Sequence, residues 1–435
     1  MTSTLTGPGN RPFHFMVPFW GERYRNYFID LFLPSLLAPN NLPLLQAKDG
    51  HKFFIAAPRE DWEAIKDLPI MSRARRHVEP SWVEVSSQPH EQTGSEHERY
   101  AAVLRHMKTC LRTVLDAGYH PRAYGSFHLP DTVFSDGMVA SLLASVHRGD
   151  RLVVCPALRQ SEEGVLAEID ELGLWSHNPA ASITARELTL MPRRAADMAV
   201  RHLHPEVLIF EEGALGQPAT PPFRYWRVPE GRGILLNTFF VAPVLMDYSG
   251  FSPDHTRCLD HDSFENAYIS ANFGDSAVIR IVEDSDDFVM LSLTPKSVDH
   301  SAPSSDAGRR SALRRYYDCL CDIRRSFEIH AVHNRDVIRQ KLGRTLVRWH
   351  AHDLDDEWMK LERRLRRVLD RAIGDYYERA IPQGRLAANR HNWRTVILDT
   401  PVFDLPRTLR RLIYRVLLKV RATGGAFINA RGRGW

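Results

Sequence analysis

The N-terminal third of the chain alternates between short apolar runs and amphipathic segments, and this alternation limits the possible folds more than any other feature. Four apolar runs are predicted as strands, at 13–20, 51–58, 81–87 and 150–159. The segments between them have apolar residues at helical spacing, and the longest covers 95–118. Strands that alternate with helices indicate a mainly parallel, Rossmann-like α/β sheet with helices on both faces.

The rest of the chain divides by pattern. Residues 223–300 contain further strand-like runs, and S-A-P-S-S-D-A-G at 301–308 has the composition of a linker. Three parts are therefore expected: a disordered N-terminus at 1–12, an α/β domain at 13–300, and a basic α-helical region at 309–435.

Charge and composition narrow the class of protein. Residues 1–307 have 28 Lys and Arg against 39 Asp and Glu, a net charge of −11, whereas residues 308–435 have 29 against 14, a net charge of +15. Such a basic tail can meet a membrane, a nucleic acid or the acidic body itself. No apolar run reaches the roughly 18 residues of a membrane-spanning helix. Five scattered cysteines and an N-terminus without a signal-like apolar segment favour the cytoplasm.

An acidic turn follows a predicted strand in L-P-D-T-V-F-S-D-G-M, residues 129–138. Asp131 and Asp136 lie in this turn with Ser135, just before a predicted helix. Open α/β sheets bind ligands beyond the C-terminal ends of their strands, so either acid could contact a ligand or a divalent metal. Ser135 and Asp136 could instead only cap the helix.

Three arginines come shortly after predicted strands. They are Arg23 in P-F-W-G-E-R, Arg59 in A-A-P-R and Arg159 in C-P-A-L-R. The C-terminal ends of parallel strands meet at one edge of a sheet, where three guanidinium groups could clamp a diphosphate. For any one of them, a surface position without a ligand is the alternative.

Two further acids are candidates for acid–base chemistry. Asp247 ends the apolar run P-V-L-M-D-Y at 243–248, and Asp262 lies in the acidic segment C-L-D-H-D-S-F-E-N-A-Y at 258–268. A carboxylate at either position could deprotonate a hydroxyl group. A capped turn and a solvated loop are the respective alternatives. In W-H-A-H-D-L-D-D-E at 349–357, which resembles a metal-binding cluster, we interpret the acids as the first turn of a helix.

The order of these elements resembles the nucleotide-sugar glycosyltransferases of the GT-A type over about residues 13–300. In that family the first strand ends at a loop that contacts the nucleotide, and a later strand ends in an Asp-containing motif, often D-x-D, that holds a divalent metal on the donor diphosphate. P-F-W-G-E-R-Y at 18–24 and the acidic turn at 129–138 match these two places. The acids here are spaced D-x-x-x-x-D, so one acid alone could hold the metal, or the site could work without one. The P-loop motif and G-x-S-x-G are absent from the sequence.

The resemblance implies transfer of a sugar from a nucleotide-diphosphate donor to a saccharide or lipid-linked acceptor. It implies a Mn²⁺ or Mg²⁺ ion at Asp136 and Asp131, and Asp136 is the preferred donor contact. The expected donor site contains Trp20, Arg23, Arg59, Asp131, Ser135, Asp136 and Arg159. Asp247 and Asp262 are the expected catalytic residues. The alternative is a non-catalytic, transferase-like binding protein that its basic tail anchors.

A basic amphipathic helix is predicted near the C-terminus, in L-R-R-L-I-Y-R-V-L-L-K-V-R at 409–421. Its apolar residues form one stripe, and Arg and Lys occupy most of the rest. This pattern suits an anionic membrane surface, and docking on the acidic body is the alternative. Few aromatic residues are interleaved with the basic ones, which disfavours nucleic-acid binding. We therefore expect a cytoplasmic protein that this helix could attach to the inner face of a membrane.

Overall fold

The computed structural model of the protein describes several separate stretches of the chain. They are residues 11–87, 96–174, 188–204, 223–228, 232–238, 241–260, 268–273, 279–295 and 337–380. The chain divides into a first unit, residues 1–354, and a second unit, residues 355–435. The predicted amphipathic helix at 409–421 lies outside the described residues.

A seven-stranded mixed sheet forms the centre of the first unit. In spatial order its strands are β3 (Glu79–Glu84), β2 (Lys52–Ala57), β1 (Phe13–Pro18), β4 (Tyr124–Phe127), β10 (Val241–Asp247), β6 (Leu152–Pro156) and β11 (Ile279–Ile281). Strand β10 runs antiparallel to both of its neighbours, and all other neighbouring strands are parallel. The predicted α/β class with a mostly parallel sheet is confirmed, and the sheet is compatible with a Rossmann-like fold.

Helices cover this sheet. Those described in the first unit are α1 (Gly21–Tyr27), α2 (Leu33–Leu36), α3 (Arg59–Ile65), α4 (Pro69–Ala74), α5 (Glu96–Gly118), α6 (Met138–Arg148), α7 (Glu162–Glu171), α8 (Pro192–Arg201), α9 (Ile269–Phe273) and α10 (Val337–Arg344). A π-helical turn at Phe28–Phe32 joins α1 to α2.

Strand β1 is buried on both faces, which explains its almost continuous apolar sequence. Side chains alternate along a strand, so Phe15 and Val17 enter one core, which they share with Leu142 of α6. Met16 enters the other core with Leu115 of α5. The central sheet is therefore sandwiched between two apolar layers, as expected for helices on both faces.

The strand order creates a reversal next to β1. The chain builds β1, β2 and β3 outward in one direction, and α5 then returns it to the other side of β1, where β4 pairs. Such a reversal is a topological switch point. Open α/β sheets bind ligands in the crevice beyond the C-terminal ends of the strands at this point. The C-terminal ends of β1 and β4 are therefore the first place to look for a site.

Two small sheets complete the first unit. One contains, in spatial order, β5 (Thr132–Phe134), β12 (Met290–Thr294) and β7 (Arg159–Ser161), and the other contains β13 (Val347–His350), β9 (Gly233–Thr238) and β8 (Phe223–Val228). Strand β13 lies within the region 309–435, which we predicted to be helical. Its four residues pair with β9, far away in sequence, and so short a run has no diagnostic periodicity. The unit boundary accordingly falls after residue 354 rather than near 300.

The described part of the second unit contains helix α11 (Asp356–Ala380). Asp355 precedes it and accepts a hydrogen bond from the N–H of Trp358 at 2.9 Å, which is the geometry of an N-terminal cap. The helix start predicted from the acids of 349–357 is confirmed. No helix among the described residues is both long enough and apolar enough to span a membrane.

Candidate functional site

The segment between β1 and α1 forms one side of the crevice at the switch point. It carries Trp20, and α1 begins at the next residue, Gly21. Buried Asp61 of α3 fixes this start, because it accepts hydrogen bonds from the N–H of Gly21 at 2.7 Å and from Arg25 at 3.0 Å. The sequence analysis did not single out Asp61. An acid in the first turn of a helix that follows a strand was the available signal.

Strand β12 brings the acid that follows β4 close to Arg159. The N–H of Leu293 donates to the main-chain carbonyl oxygen of Asp131 at 2.8 Å. The preceding residue, Ser292, is the register partner of Arg159 on β7 and also of Thr132 on β5. Asp131 and Arg159 therefore lie on segments that flank the same short part of β12.

The carboxyl group of Asp131 is only partly satisfied. Its Oδ1 atom is buried and has no hydrogen-bond partner within the described part of the chain. Burial raises the pKa of Asp131 to about 6, although its own backbone N–H and the charges of Arg159 and Arg23 act in the opposite direction. Unsatisfied buried acceptors are rare in native proteins. A perturbed carboxyl group in a crevice is a physical indication of a functional site.

Arg23 and Arg159 supply positive charge to this region. Arg23 donates hydrogen bonds to the hydroxyl of Tyr27 at 2.8 Å and to Glu162 Oε2 at 2.9 Å. Its side chain is 52% exposed, and the side chain of Arg159 is exposed as well. Exposed ion pairs contribute little to stability, so a bound anion could replace Glu162 as the partner of Arg23. Both arginines are close enough to Asp131 to lower the pKa of its carboxyl group.

Aromatic side chains lie beside these charges. The ring of Trp20 packs edge-on against His106 of α5, with 4.7 Å between ring centroids, and lies 6.1 Å from the ring of Tyr24. Burial raises the pKa of Tyr24, and the charge of Asp131 raises it further, which places this hydroxyl near the same carboxyl group. Rings of this kind can pack against the planar base of a nucleotide or the apolar face of a sugar.

The other acid of the turn has its oxygens occupied. Asp136 is buried, and its two carboxylate oxygens accept hydrogen bonds from the backbone N–H of Asn40 at 2.7 Å and from the side-chain amide of Asn40 at 2.8 Å. Ser135 Oγ accepts from the N–H of Val289 at 2.9 Å. Neither side chain caps α6. Asn41 does so, through hydrogen bonds from Gly137 and Val139 to its Oδ1 atom.

The geometry therefore corrects the order of preference within the turn. Asp131, which has an unsatisfied oxygen and lies near two arginines, is the better donor or metal contact. Asp136 and Ser135 would have to give up structural hydrogen bonds to fill that role. The separation could not be predicted from the turn alone, because the partners of Asp136 come from a distant segment.

Arg59 lies just after β2, at the expected edge of the sheet. It forms a two-pronged ion pair with Glu84, at 3.0 and 3.2 Å, and its guanidinium carbon lies 5.0 Å above the ring of Trp82. Both ion-pair partners are exposed. A donor contact by Arg59 stays a prediction, and nothing printed by its contacts connects it to Asp131.

Asp247 lies at the opposite edge of the sheet. It does end an apolar strand, but β10 runs antiparallel, so its C-terminal end is next to Tyr124, the first residue of β4. The carboxylate pairs with Arg11 at 2.6 Å and with Arg151 at 3.5 Å. This placement separates Asp247 from Asp131, and we do not retain its predicted catalytic role. Arg11 is at the same time anchored, although it belongs to the N-terminal segment predicted to be disordered.

The structure thus brings part of the predicted site together. Trp20, Arg23, Asp131 and Arg159 gather at the switch point, with Tyr24 and Glu162 as additional members. Asp262 lies outside the described residues, so its predicted catalytic role stays a prediction.

A second group of polar side chains has distances compatible with a metal ion. Ligand atoms of Asp284, Asp286 and His350 all lie within 4.8 Å of one another. Both acids already pair with guanidinium groups, Asp284 with Arg348 at 3.0 Å and Asp286 with Arg193 at 2.9 Å. A divalent cation would have to compete with these two charges. We therefore interpret the group as an ion-pair network and assign no metal to it.

Comparisons with known proteins do not identify a family. The chain matches no model of a known protein family, and no curated protein is significantly similar to it in sequence.

Proposed function

We propose that this protein is a glycosyltransferase that uses a nucleotide-diphosphate sugar, with its donor site at the switch point between β1 and β4. One observation carries the proposal. A buried carboxylate oxygen of Asp131 has no hydrogen-bond partner among the described residues, and two exposed arginines influence the same group. The site also lies where α/β sheets of this kind bind nucleotides. The resemblance of residues 13–300 to GT-A enzymes gives the reaction class.

The charges suit a diphosphate. Departure of a nucleoside diphosphate leaves negative charge that the enzyme must stabilise, and guanidinium groups do this with two parallel hydrogen bonds. Arg23 and Arg159 would take this role, with Glu162 released from Arg23 when the donor binds. Trp20 and Tyr24 would pack against the base or the sugar.

The residues also fit a divalent metal with a single protein ligand. Mg²⁺ commonly binds one or two carboxylates and completes its shell with water and substrate phosphate oxygens. Asp131 Oδ1 is an oxygen of the right type without a protein partner in the described residues. When bound, Mn²⁺ or Mg²⁺ would neutralise charge on the leaving diphosphate. Asp136 would have to break its bonds to Asn40 to contribute.

The acceptor side of the reaction rests on the sequence. A saccharide or a lipid-linked saccharide remains the proposed acceptor, and Asp262 remains the proposed base. Attachment to an anionic membrane through residues 409–421, in a cytoplasmic protein, belongs to the same proposal.

Titration calorimetry with uridine, guanosine, adenosine and thymidine diphosphates and their sugar conjugates tests the donor site, with and without Mn²⁺. A ligand at a hundred times its Kd should also stabilise the fold by about 2.7 kcal/mol. Asp131→Asn should remove the Mn²⁺-dependent part of binding. Asp150→Asn is the matched control, because Asp150 pairs with Arg148 just before β6, at the other edge.

The outcomes separate the possible functions. Binding together with release of nucleoside diphosphate from the sugar conjugate supports a transferase. Binding without any release, in the presence of saccharide acceptors, indicates a non-catalytic binding protein. If none of these compounds binds at millimolar concentration, the proposed donor site is incorrect.

A further inference from the structure

A buried histidine connects β13 to the loop between β11 and β12. His350, the last residue of β13, is 2% exposed. Its Nδ1 atom lies 2.7 Å from the carbonyl oxygen of His352, and its Nε2 atom lies 2.8 Å from Asp284 Oδ1. The ring therefore has an oxygen within hydrogen-bond distance of each nitrogen.

Neither of these oxygens can donate. A carbonyl oxygen is only an acceptor. Asp284 is held as a carboxylate, because Arg348 donates to its Oδ2 at 3.0 Å and the N–H of Asp286 donates to its Oδ1 at 3.0 Å. A neutral imidazole has one N–H and can satisfy one acceptor only. Two acceptors require two ring protons, so His350 is positively charged in this arrangement.

Charges of both signs surround the ring. They are Glu283, Asp284 and Asp286 on the loop, Arg348 on β13, Arg193 on α8, Asp353 after β13, and Arg232, which precedes the register partner of His350 on β9. The guanidinium groups of Arg193 and Arg348 are paired with acids of the network. Asp284 and Asp286 thus favour the charged ring, and Arg348 limits the effect of Asp284.

We infer that His350 and Asp284 form a pH-sensitive clasp that holds β13 against the loop when His350 is protonated and loosens when the proton is lost. A neutral ring that kept its bond to the carbonyl of His352 would direct the lone pair of Nε2 at a carboxylate oxygen. The contact would then change from attraction to repulsion, and the other tautomer would lose the bond to the carbonyl.

The clasp closes a larger set of main-chain contacts. The N–H of Ser285 donates to the carbonyl of Arg348 at 2.8 Å, and the N–H of Arg348 donates to the carbonyl of Glu283 at 2.7 Å. Ser285 Oγ accepts from the N–H of His350 at 3.1 Å. The loop continues directly into β12, whose Leu293 holds the carbonyl of Asp131. Opening of the clasp would therefore free the loop that leads into the strand beside the candidate donor site, but the clasp itself does not depend on the proposed reaction.

The direction of the pH dependence follows from the surroundings of the ring. Burial lowers the pKa of His350, but the hydrogen bonds to Asp284 and to the carbonyl of His352 outweigh burial and raise the pKa above its ordinary value. The folded chain therefore binds this proton more tightly than the unfolded chain. The stabilising effect of the clasp is complete below a pH of about 6.5 and is lost as the pH rises through the higher pKa of the folded state.

Proton NMR of the full chain tests the charge of the ring. The Cε1–H signal of His350 is assigned by its absence from His350→Gln and is followed from pH 5 to pH 9. We expect a midpoint above 6.5 in the wild-type chain and a downward shift of the midpoint in Asp284→Asn. His352→Gln is the matched control, because only the main chain of His352 takes part, and it should leave the midpoint unchanged. A midpoint at or below 6.5, or one that Asp284→Asn does not lower, overturns the inference.

Hydrogen exchange tests the mechanical part on the wild-type chain, without a substitution that could prevent folding. Protection factors, corrected for the intrinsic rate, are compared at pH 6 and pH 9. We expect those of Arg348 and His350 to fall at least tenfold, whereas those of Phe53 and Phe54 in β2 stay unchanged. Equal protection of Arg348 and His350 at both pH values overturns the clasp even if His350 is charged at pH 6.

Discussion

Leu293 donates its backbone N–H to the carbonyl oxygen of Asp131, and the 2.8 Å bond ties the acidic turn beyond β4 to a strand near the end of the α/β region. The residue before Leu293 is the register partner of Arg159. One strand therefore places both the acid and an arginine of the candidate site. The site is assembled by pairing between distant segments, and the central sheet supplies only the edge at which they meet.

Asp136→Ala should destabilise the fold. Asp136 is buried and accepts two hydrogen bonds from Asn40, and its removal would leave two polar N–H groups of Asn40 without an acceptor. A buried hydrogen bond to a charged group contributes about 1.5–3 kcal/mol. We expect the free energy of unfolding, measured in urea, to fall by roughly 2 kcal/mol. Exposed Glu84→Ala is the control and should change it by less than about 0.5 kcal/mol. Equal effects of the two substitutions would argue against a structural role for Asp136.

Asn41→Ala should have a similar effect for a different reason. Asn41 is completely buried, and its Oδ1 atom caps α6 by accepting from Gly137 and Val139, at 3.1 and 3.2 Å. Loss of an N-terminal cap costs about 1 kcal/mol, and the carbonyls of Ser35 and Ser135 would also lose a donor. Thermal unfolding should show a lower Tm. A Tm equal to that of the wild-type chain would mean that another group caps the helix.

The sequence was informative where a feature depends on neighbouring residues. The apolar run of β1 and its position before an aromatic and arginine cluster predicted both a buried strand and the location of Trp20 and Arg23. The capping of α6 was misread, because the sequence near Ser135 and Asp136 contains good capping residues, whereas the cap comes from Asn41. Hydrogen bonds between distant segments override local preferences, and a single sequence does not reveal them.

Strand direction was the second feature that local pattern could not supply. An apolar run that ends in an acid has the same sequence whether the strand is parallel or antiparallel to its neighbours. The pairing of β10 with β4 places Asp247 beside Tyr124, at the opposite edge from Asp131. The predicted α/β class was independent of this direction, whereas the predicted role of Asp247 depended on it entirely.

Asp247→Asn should reduce stability and leave donor binding intact. Burial raises the pKa of Asp247, but the bonds from Arg11 and Ser249 outweigh burial, so the pKa is lowered. The ionised group therefore stabilises the fold above its ordinary pKa of about 3.9, and this stabilisation is lost as the pH falls through the lower folded value. Urea unfolding at pH 7 should show a loss of about 1 kcal/mol for a partly exposed pair. Calorimetry should show an unchanged nucleotide Kd. A weakened Kd in a folded variant would return Asp247 to the candidate site.

Asp131→Asn should do the opposite, stabilising the fold while it abolishes metal-dependent binding. The pKa of Asp131 is raised to about 6, so the folded chain favours the protonated form and the ionised form is destabilising. This cost is complete above a pH of about 6 and disappears as the pH falls toward the ordinary value of about 3.9. Asparagine carries no charge, so urea unfolding at pH 8 should show a gain of roughly 2 kcal/mol, and the gain should shrink between pH 6 and pH 4. Asp150→Asn, the control at the other edge, should show no gain. A stable variant without binding would fit an acid kept at an energetic cost for its ligand, as functional residues often are. A variant less stable than the wild-type chain at pH 8 would show that Asp131 Oδ1 has a structural partner and would remove the basis of the proposed site.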